Sequence, residues 1–278
     1  MLKLMYITNR PAVAQIAENA GVNRIFVDME YINKDKRQAG LDTVKSHHTI
    51  SDIQAVRGVI QKAELLVRIN PIHEKTEEYG SSEEEINQAI DSGADILMLP
   101  MFRTMYEVNQ FIDCVDGRCK TMLLVETPEA VDMIKDISGC PVDEIHIGLN
   151  DLHLALKKKF MFELLADGTV DNICNVLKSS NKKYGFGGIA RLGYGDVPAD
   201  YIIPEHYRLG SQIAILSRSF CNANIVQNPE DIRDIFEEGI KGIRQFERRV
   251  ALFTEEEFVL NRKMFISLVN QFVKKHGG

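Results

Sequence analysis

KTMLLVETPEAVDMIKDI, residues 120 to 137, runs from an apolar stretch through a single glutamate, Glu126, into Thr127-Pro128 and a segment with helical spacing. The first part has the length and apolar density of a strand buried on both faces, as parallel sheets require. Pro128 carries the fixed φ that suits the first turn of a helix. The stretch is one strand-to-helix unit with a carboxylate at its junction.

The same unit recurs in both directions. Strand-like runs are LKLMYIT (2–8), RIFVDME (24–30), ELLVRIN (64–70), DILMLPM (95–101), KTMLLVE (120–126), EIHIGLN (144–150), FGGIAR (186–191) and IAILSRSF (213–220). Helical patterns such as PAVAQIAENAG, TISDIQAVRGVIQKA and SSEEEINQAIDSG stand between them, the last opening on a Ser-x-x-Glu capping box. Eight alternations predict an α/β fold, a single (β/α)8 TIM barrel, in preference to a doubly wound sheet. No G-x-G-x-x-G follows the first strand, and the GFGG at 185–188 comes late and reads as packing.

The barrel is expected to occupy residues 1–253, with 254–278 a separate C-terminal helix. NPEDIRDIFEEGIKGIRQFERRVALF forms a long amphipathic helix, and TEEEFVLNRKMFISLVNQFVKKHGG adds a second that the barrel does not need. That helix carries Phe258, Leu260, Phe265, Leu268, Val269 and Phe272, apolar surface that must be covered by its own barrel or by a second subunit. A homo-oligomer with a subunit contact there is the expectation.

Composition narrows the function. At 278 residues, 45% hydrophobic and 26% charged, the chain can bury a large core unaided. A net charge of -7 and the absence of any basic run longer than Lys157-Lys158-Lys159 argue against nucleic acid as a partner. No apolar segment reaches membrane-span length, and MLKLMYITNRPAV lacks the continuous apolar core of a signal peptide. Five scattered cysteines with no C-x-x-C pair predict reduced thiols and a cytoplasmic protein.

In a barrel of this kind chemistry sits where strands end. Those positions hold Asp28 and Glu30, Arg68 and Asn70, Glu126, Asn150 and Asp151, Arg191, and Arg218. Glu126 and Asp151 lie one βα step apart, so both carboxylates should enter one mouth. They would repel unless a cation sat between them, and a hard divalent ion, Mg²⁺ or Mn²⁺, suits such oxygens. The alternative is that each caps the helix that follows it.

The blocks VDME (27–30), VRIN (67–70), VETPEAV (125–131) and IGLNDL (147–152), with AIDSGADILMLPM (89–101), resemble in order and spacing the HpcH/HpaI aldolase and citrate lyase family of metal-dependent barrel lyases. The resemblance implies that Glu126 and Asp151 bind the metal and that Arg68 meets the oxygens of a 2-oxo acid or an acyl substrate. It also implies that the turn Gly148-Leu149-Asn150-Asp151 holds the substrate carboxylate, and that Asp28 and Glu30 stand behind the metal or pair with Arg68. An aldolase acting on a pyruvate-type enolate ranks first, a citryl- or malyl-CoA-type lyase second, and a non-catalytic binding barrel third.

Two positions depart from the family pattern: Tyr31 stands where a histidine is common, and Leu124 where a glutamine is. His47 and His48, ahead of the TISDIQAV helix, either reach over the mouth or form an exposed helix start, with His48 the candidate for proton transfer. Arg191 and Arg218 either receive an anionic acceptor substrate or make structural ion pairs.

Overall fold

The computed structural model describes residues 1–32 and 48–276. Its apolar runs form β1 (Lys3–Ile7), β2 (Arg24–Asp28), β3 (Glu64–Arg68), β4 (Ile96–Leu99), β5 (Lys120–Val125), β6 (Glu144–Ile147), β7 (Lys183–Ile189) and β8 (Ile213–Leu216). All pair in parallel, each with the next, and β8 returns to β1 to close the barrel. Helices between strands cover the outside, so the (β/α)8 expectation holds.

Most strands are shorter than the apolar runs suggest, because the chain leaves the ladder as it turns toward the mouth. Asp28 and Arg68 are the last residues of their strands, and Glu126 is the first residue beyond β5. The seventh strand is displaced the other way: GFGG lies inside β7, not before it. Glycine is a poor strand former, so the sequence hides this segment. Packing requires it, since a Cβ on Gly185 would sit 2.0 Å from the Ile213 carbonyl oxygen. The β7–β8 register then shifts between Gly185 and Gly188, a bulge at the rim of the barrel.

Two apolar layers form the core. One lies between barrel and helices; the other fills the barrel with Met5, Phe26, Leu66, Ile96, Met98, Met122, Leu124 and Ile213. Below this inner layer the fully buried Arg24 bonds both oxygens of Glu144 (2.5 and 2.7 Å) and reaches Glu64 at 2.8 Å. The N-terminal end is thus plugged by paired charge, and the open end is the other one.

Two long helices follow β8, Pro229–Val250 and Glu255–His276. In the first, Arg244 and Glu247 bond the backbone of Leu2 and fasten the start of β1. The second lies on its own barrel. Arg262 and Asn261 reach the buried Glu205 at 2.9 and 3.2 Å, and Phe272 stacks on Phe160 with centroids 4.0 Å apart. Phe265 and Val269 are buried there, while Val259, Leu260 and Met264 remain exposed. Among the described residues no helix is long and apolar enough to cross a membrane.

Candidate active site

At the C-terminal ends of the strands lies a cavity of about 540 Å³, within the usual range of small-molecule sites. Two wider grooves exist elsewhere. One, of about 760 Å³, opens at the N-terminal ends of the strands around Lys62, Glu64, Lys120 and Asp143; the other, of about 750 Å³, lies between outer helices. Charges in the first are tied in surface pairs, Lys120 to Glu64 and Arg57 to Asp95. Barrel chemistry belongs at the opposite face, so the mouth cavity is the candidate.

Arg68 is held there from two sides. Asp28 takes two parallel bonds from its guanidinium, at 2.7 and 2.8 Å, and Glu30 approaches at 3.3 Å. Both carboxylates are buried. Burial alone would lower the Arg68 pKa, but Asp28 and Glu30 outweigh it and push it well above the ordinary guanidinium value. Arg68 is a fixed, permanent positive charge on the cavity wall. The turn beneath it is pinned by Asn70, whose side-chain oxygen accepts from the Tyr31 and Ile32 backbone N–H groups.

Glu126 is buried next to this pair, and its Oε1 accepts the Met101 N–H at 3.1 Å. Burial, then the charges of Glu30 and Asp151, raise its pKa well above the carboxylate range; Arg68 and the Met101 N–H act in the opposite sense. Asp151 lines the same cavity from the first turn of the short helix Leu149–Ala155. Between them Gly148 leaves the space that Glu126 fills: a Cβ there would lie 2.8 Å from Glu126 Oε2 and 2.9 Å from its Cβ.

A carboxyl that burial and two neighbouring carboxylates push toward protonation suits a divalent cation, whose charge would favour its ionised form. Among the described residues no three His, Cys, Asp or Glu side chains are placed to ligate one ion together. Glu126 and Asp151 would therefore leave the remaining octahedral positions to water and substrate oxygens, an arrangement Mg²⁺ commonly adopts. The donor set fits.

Of the remaining predicted residues, Gly148, Leu149, Asn150, His48 and Arg218 also line the cavity. The Gly148 N–H is spent on the Val125 carbonyl at 2.9 Å, so it is not available to a substrate carboxylate. His48 Nδ1 accepts the Asp28 N–H at 2.9 Å, which places the ring proton of its neutral form on Nε2. His47 lies outside the described residues. Arg191 does not line the cavity; its guanidinium lies over the Tyr194 ring, 4.1 Å from the centroid, because the chain turns away two residues after β7 ends. Tyr31 stays outside as well, edge-on to Tyr79, and burial and Glu85 raise its pKa, which leaves still less of the phenolate that a base would need.

The mouth also uses residues that strand-end reasoning passed over. Thr8, Asn9 and Arg10 follow β1, and Asn222 and Asn224 lie beyond β8. Arg10 donates to the Ala223 carbonyl at 2.6 Å, joining the first and last loops of the barrel. TNR, directly before the first helix, carried the signal. His146, on β6, forms part of the floor.

A family model described as HpcH/HpaI aldolase/citrate lyase matches residues 3–165. Among solved structures the chain is similar to an HpcH/HpaI aldolase/citrate lyase family protein from Burkholderia cenocepacia J2315, at 14% identity and a TM-score of 0.58, covering 84% of this chain and 94% of that one. Macrophomate synthase aligns at 12% identity and a TM-score of 0.55, over 84% of this chain and 85% of its own. Tryptophan synthase from M. tuberculosis aligns at 14% identity and a TM-score of 0.59, over 87% and 93%. At these identities the structural likeness shows the barrel alone. No curated protein matches the chain.

Proposed function

The chain belongs to the HpcH/HpaI aldolase/citrate lyase family, and from that premise we propose that it is a carbon–carbon lyase dependent on Mg²⁺ or Mn²⁺ and acting through the enolate of a pyruvate-type 2-oxo acid. The observation that carries this reading is Glu126, buried beside Glu30 and Asp151 with Arg68 opposite. Glu126 and Asp151 would hold the metal. The ion, when bound, supplies Lewis-acid polarisation of the 2-oxo group.

The chain's own residues account for the rest. Arg68 presents fixed positive charge to the oxygen on which the enolate charge develops, and Asp28 sets its orientation through two bonds, so little reorganisation is needed. In the cleavage direction the C4 hydroxyl proton is removed, the C3–C4 bond breaks, and its electron pair becomes the enolate as C4 becomes an aldehyde. A proton then returns to C3. In the arrangement observed, His48 Nδ1 accepts the Asp28 N–H, which leaves Nε2 as the ring nitrogen able to donate to a substrate; carrying a second ring proton would require Nδ1 to release the Asp28 N–H.

Arg10 and Arg218, with Asn222 and Asn224, form the wall nearest strands 8 and 1. An anionic acceptor is the matching partner, with Arg10 in the place first expected of Arg191. Exposed Val259, Leu260 and Met264 support a homo-oligomer, which sedimentation velocity tests. The reaction is tested by solvent exchange: with Mg²⁺ or Mn²⁺ in deuterium oxide, the methyl group of pyruvate should gain deuterium. Exchange into acetyl-CoA instead would transfer the assignment to the CoA lyases, and exchange into neither would remove it.

A further inference from the structure

We propose that His146 is a substrate-contacting residue whose imidazole donates a hydrogen bond, from the cavity floor, to an oxygen of the 2-oxo acid seated at Glu126, Asp151 and Arg68. The inference rests on the function proposed above and adds to it a specificity contact.

Along β6 alternate residues face the barrel interior. Glu144 does so at the plugged end, where it bonds Arg24, and His146 follows one step nearer the mouth. Its partner across the β5–β6 register is Leu124, which has no polar atom to offer, and the inner layer around it is apolar. The ring is fully buried, and neither Nδ1 nor Nε2 has a hydrogen-bond partner. The Gly187 backbone slightly favours the protonated ring but does not complete a bond of normal geometry. Burial, then Arg24 and Arg68, hold the imidazole neutral, with a pKa of about 3, so it presents one donor and one acceptor.

A buried polar group left unpaired costs on the order of 1–3 kcal/mol, a cost that a leucine in the same place would avoid. Two other histidines show what a packed imidazole looks like in this chain. His206 is buried and leaves Nε2 without a partner, but it bonds Ser211 through Nδ1 at 2.7 Å, stacks on Phe186 and does not line the cavity. His73 has backbone carbonyls at both nitrogens. His146 alone of the three combines an unpaired ring with a place in the cavity floor. Its position below the Glu126–Arg68 level makes the bound 2-oxo acid the natural partner.

The test compares parent, His146→Leu and His146→Gln proteins in two measurements: melting without ligand, and calorimetric titration of the Mg²⁺-loaded protein with pyruvate and with oxalate. His146→Leu should melt at or above the parent temperature and bind both ligands about tenfold more weakly, while His146→Gln, which keeps a donor, recovers part of that loss. A merely structural ring would instead give His146→Leu a lower melting temperature with unchanged affinity. Unchanged affinity in His146→Leu beside a parent that binds overturns this inference alone. A parent that binds neither ligand overturns the proposed function and the inference together.

Discussion

Replacing Gly148 by alanine should disable the site while leaving the barrel folded. The backbone there, at φ -82° and ψ 91°, is open to any L-residue, so alanine adds no torsional strain. Its methyl group, however, would sit 2.9 Å from Glu126 Cβ and 3.2 Å from Leu124 Cδ1, where carbons prefer about 3.5–4.0 Å. Glu126 must retreat by roughly half an ångström or more, and its Cβ is too close to the backbone to do so freely. Overpacking of this kind costs about 1–3 kcal/mol, whereas metal–oxygen distances tolerate only about 0.2 Å. Urea denaturation should therefore show a modest loss of stability, and Mn²⁺ titration at least a tenfold loss of affinity. Gly139, where a Cβ meets nothing within 4 Å, supplies the control: Gly139→Ala should leave Mn²⁺ affinity unchanged. A Gly148→Ala protein that binds Mn²⁺ as the parent does would refute the packing argument.

Other consequences concern charge. His146 and His206 both have pKa values lowered to about 3 by burial, so they stay neutral in the fold but protonate in the unfolded chain near 6.5. Their contribution is full above pH 6.5 and is lost as pH falls toward 3, at about 1.4 kcal/mol per pH unit for each ring; denaturation midpoints across that window check the slope. Arg24→Leu would leave Glu144 buried without its guanidinium and should cost about 3–5 kcal/mol in chemical denaturation, without altering the mouth. Asp28→Asn removes the charge that orients Arg68 and should lower turnover about 10- to 100-fold, with the fold retained by circular dichroism.

The barrel was legible because each strand is a compact apolar run followed by helix-start chemistry, a pattern that survives errors at every boundary. VETPEAV and IGLNDL placed Glu126 and Asp151 correctly in one mouth for the same reason: they sit where a run ends. His146 was hidden because parallel strands are buried on both faces, so EIHI does not reveal which side chains face inward. Arg191 was misplaced because the glycines of β7 disguised that strand, and counting from a strand set three residues late carried the arginine into the mouth. Arg10 went unnoticed behind Pro11, a residue read for the helix it starts and not for the loop it ends.

Direct titration with Mn²⁺, following the free ion by electron paramagnetic resonance, bears most closely on the metal site. The parent should bind one Mn²⁺ per chain, pyruvate or oxalate should tighten that binding, and Glu126→Gln and Asp151→Asn should each abolish it. A parent that leaves Mn²⁺ free, or variants that bind it as the parent does, would contradict the assignment of these two carboxylates.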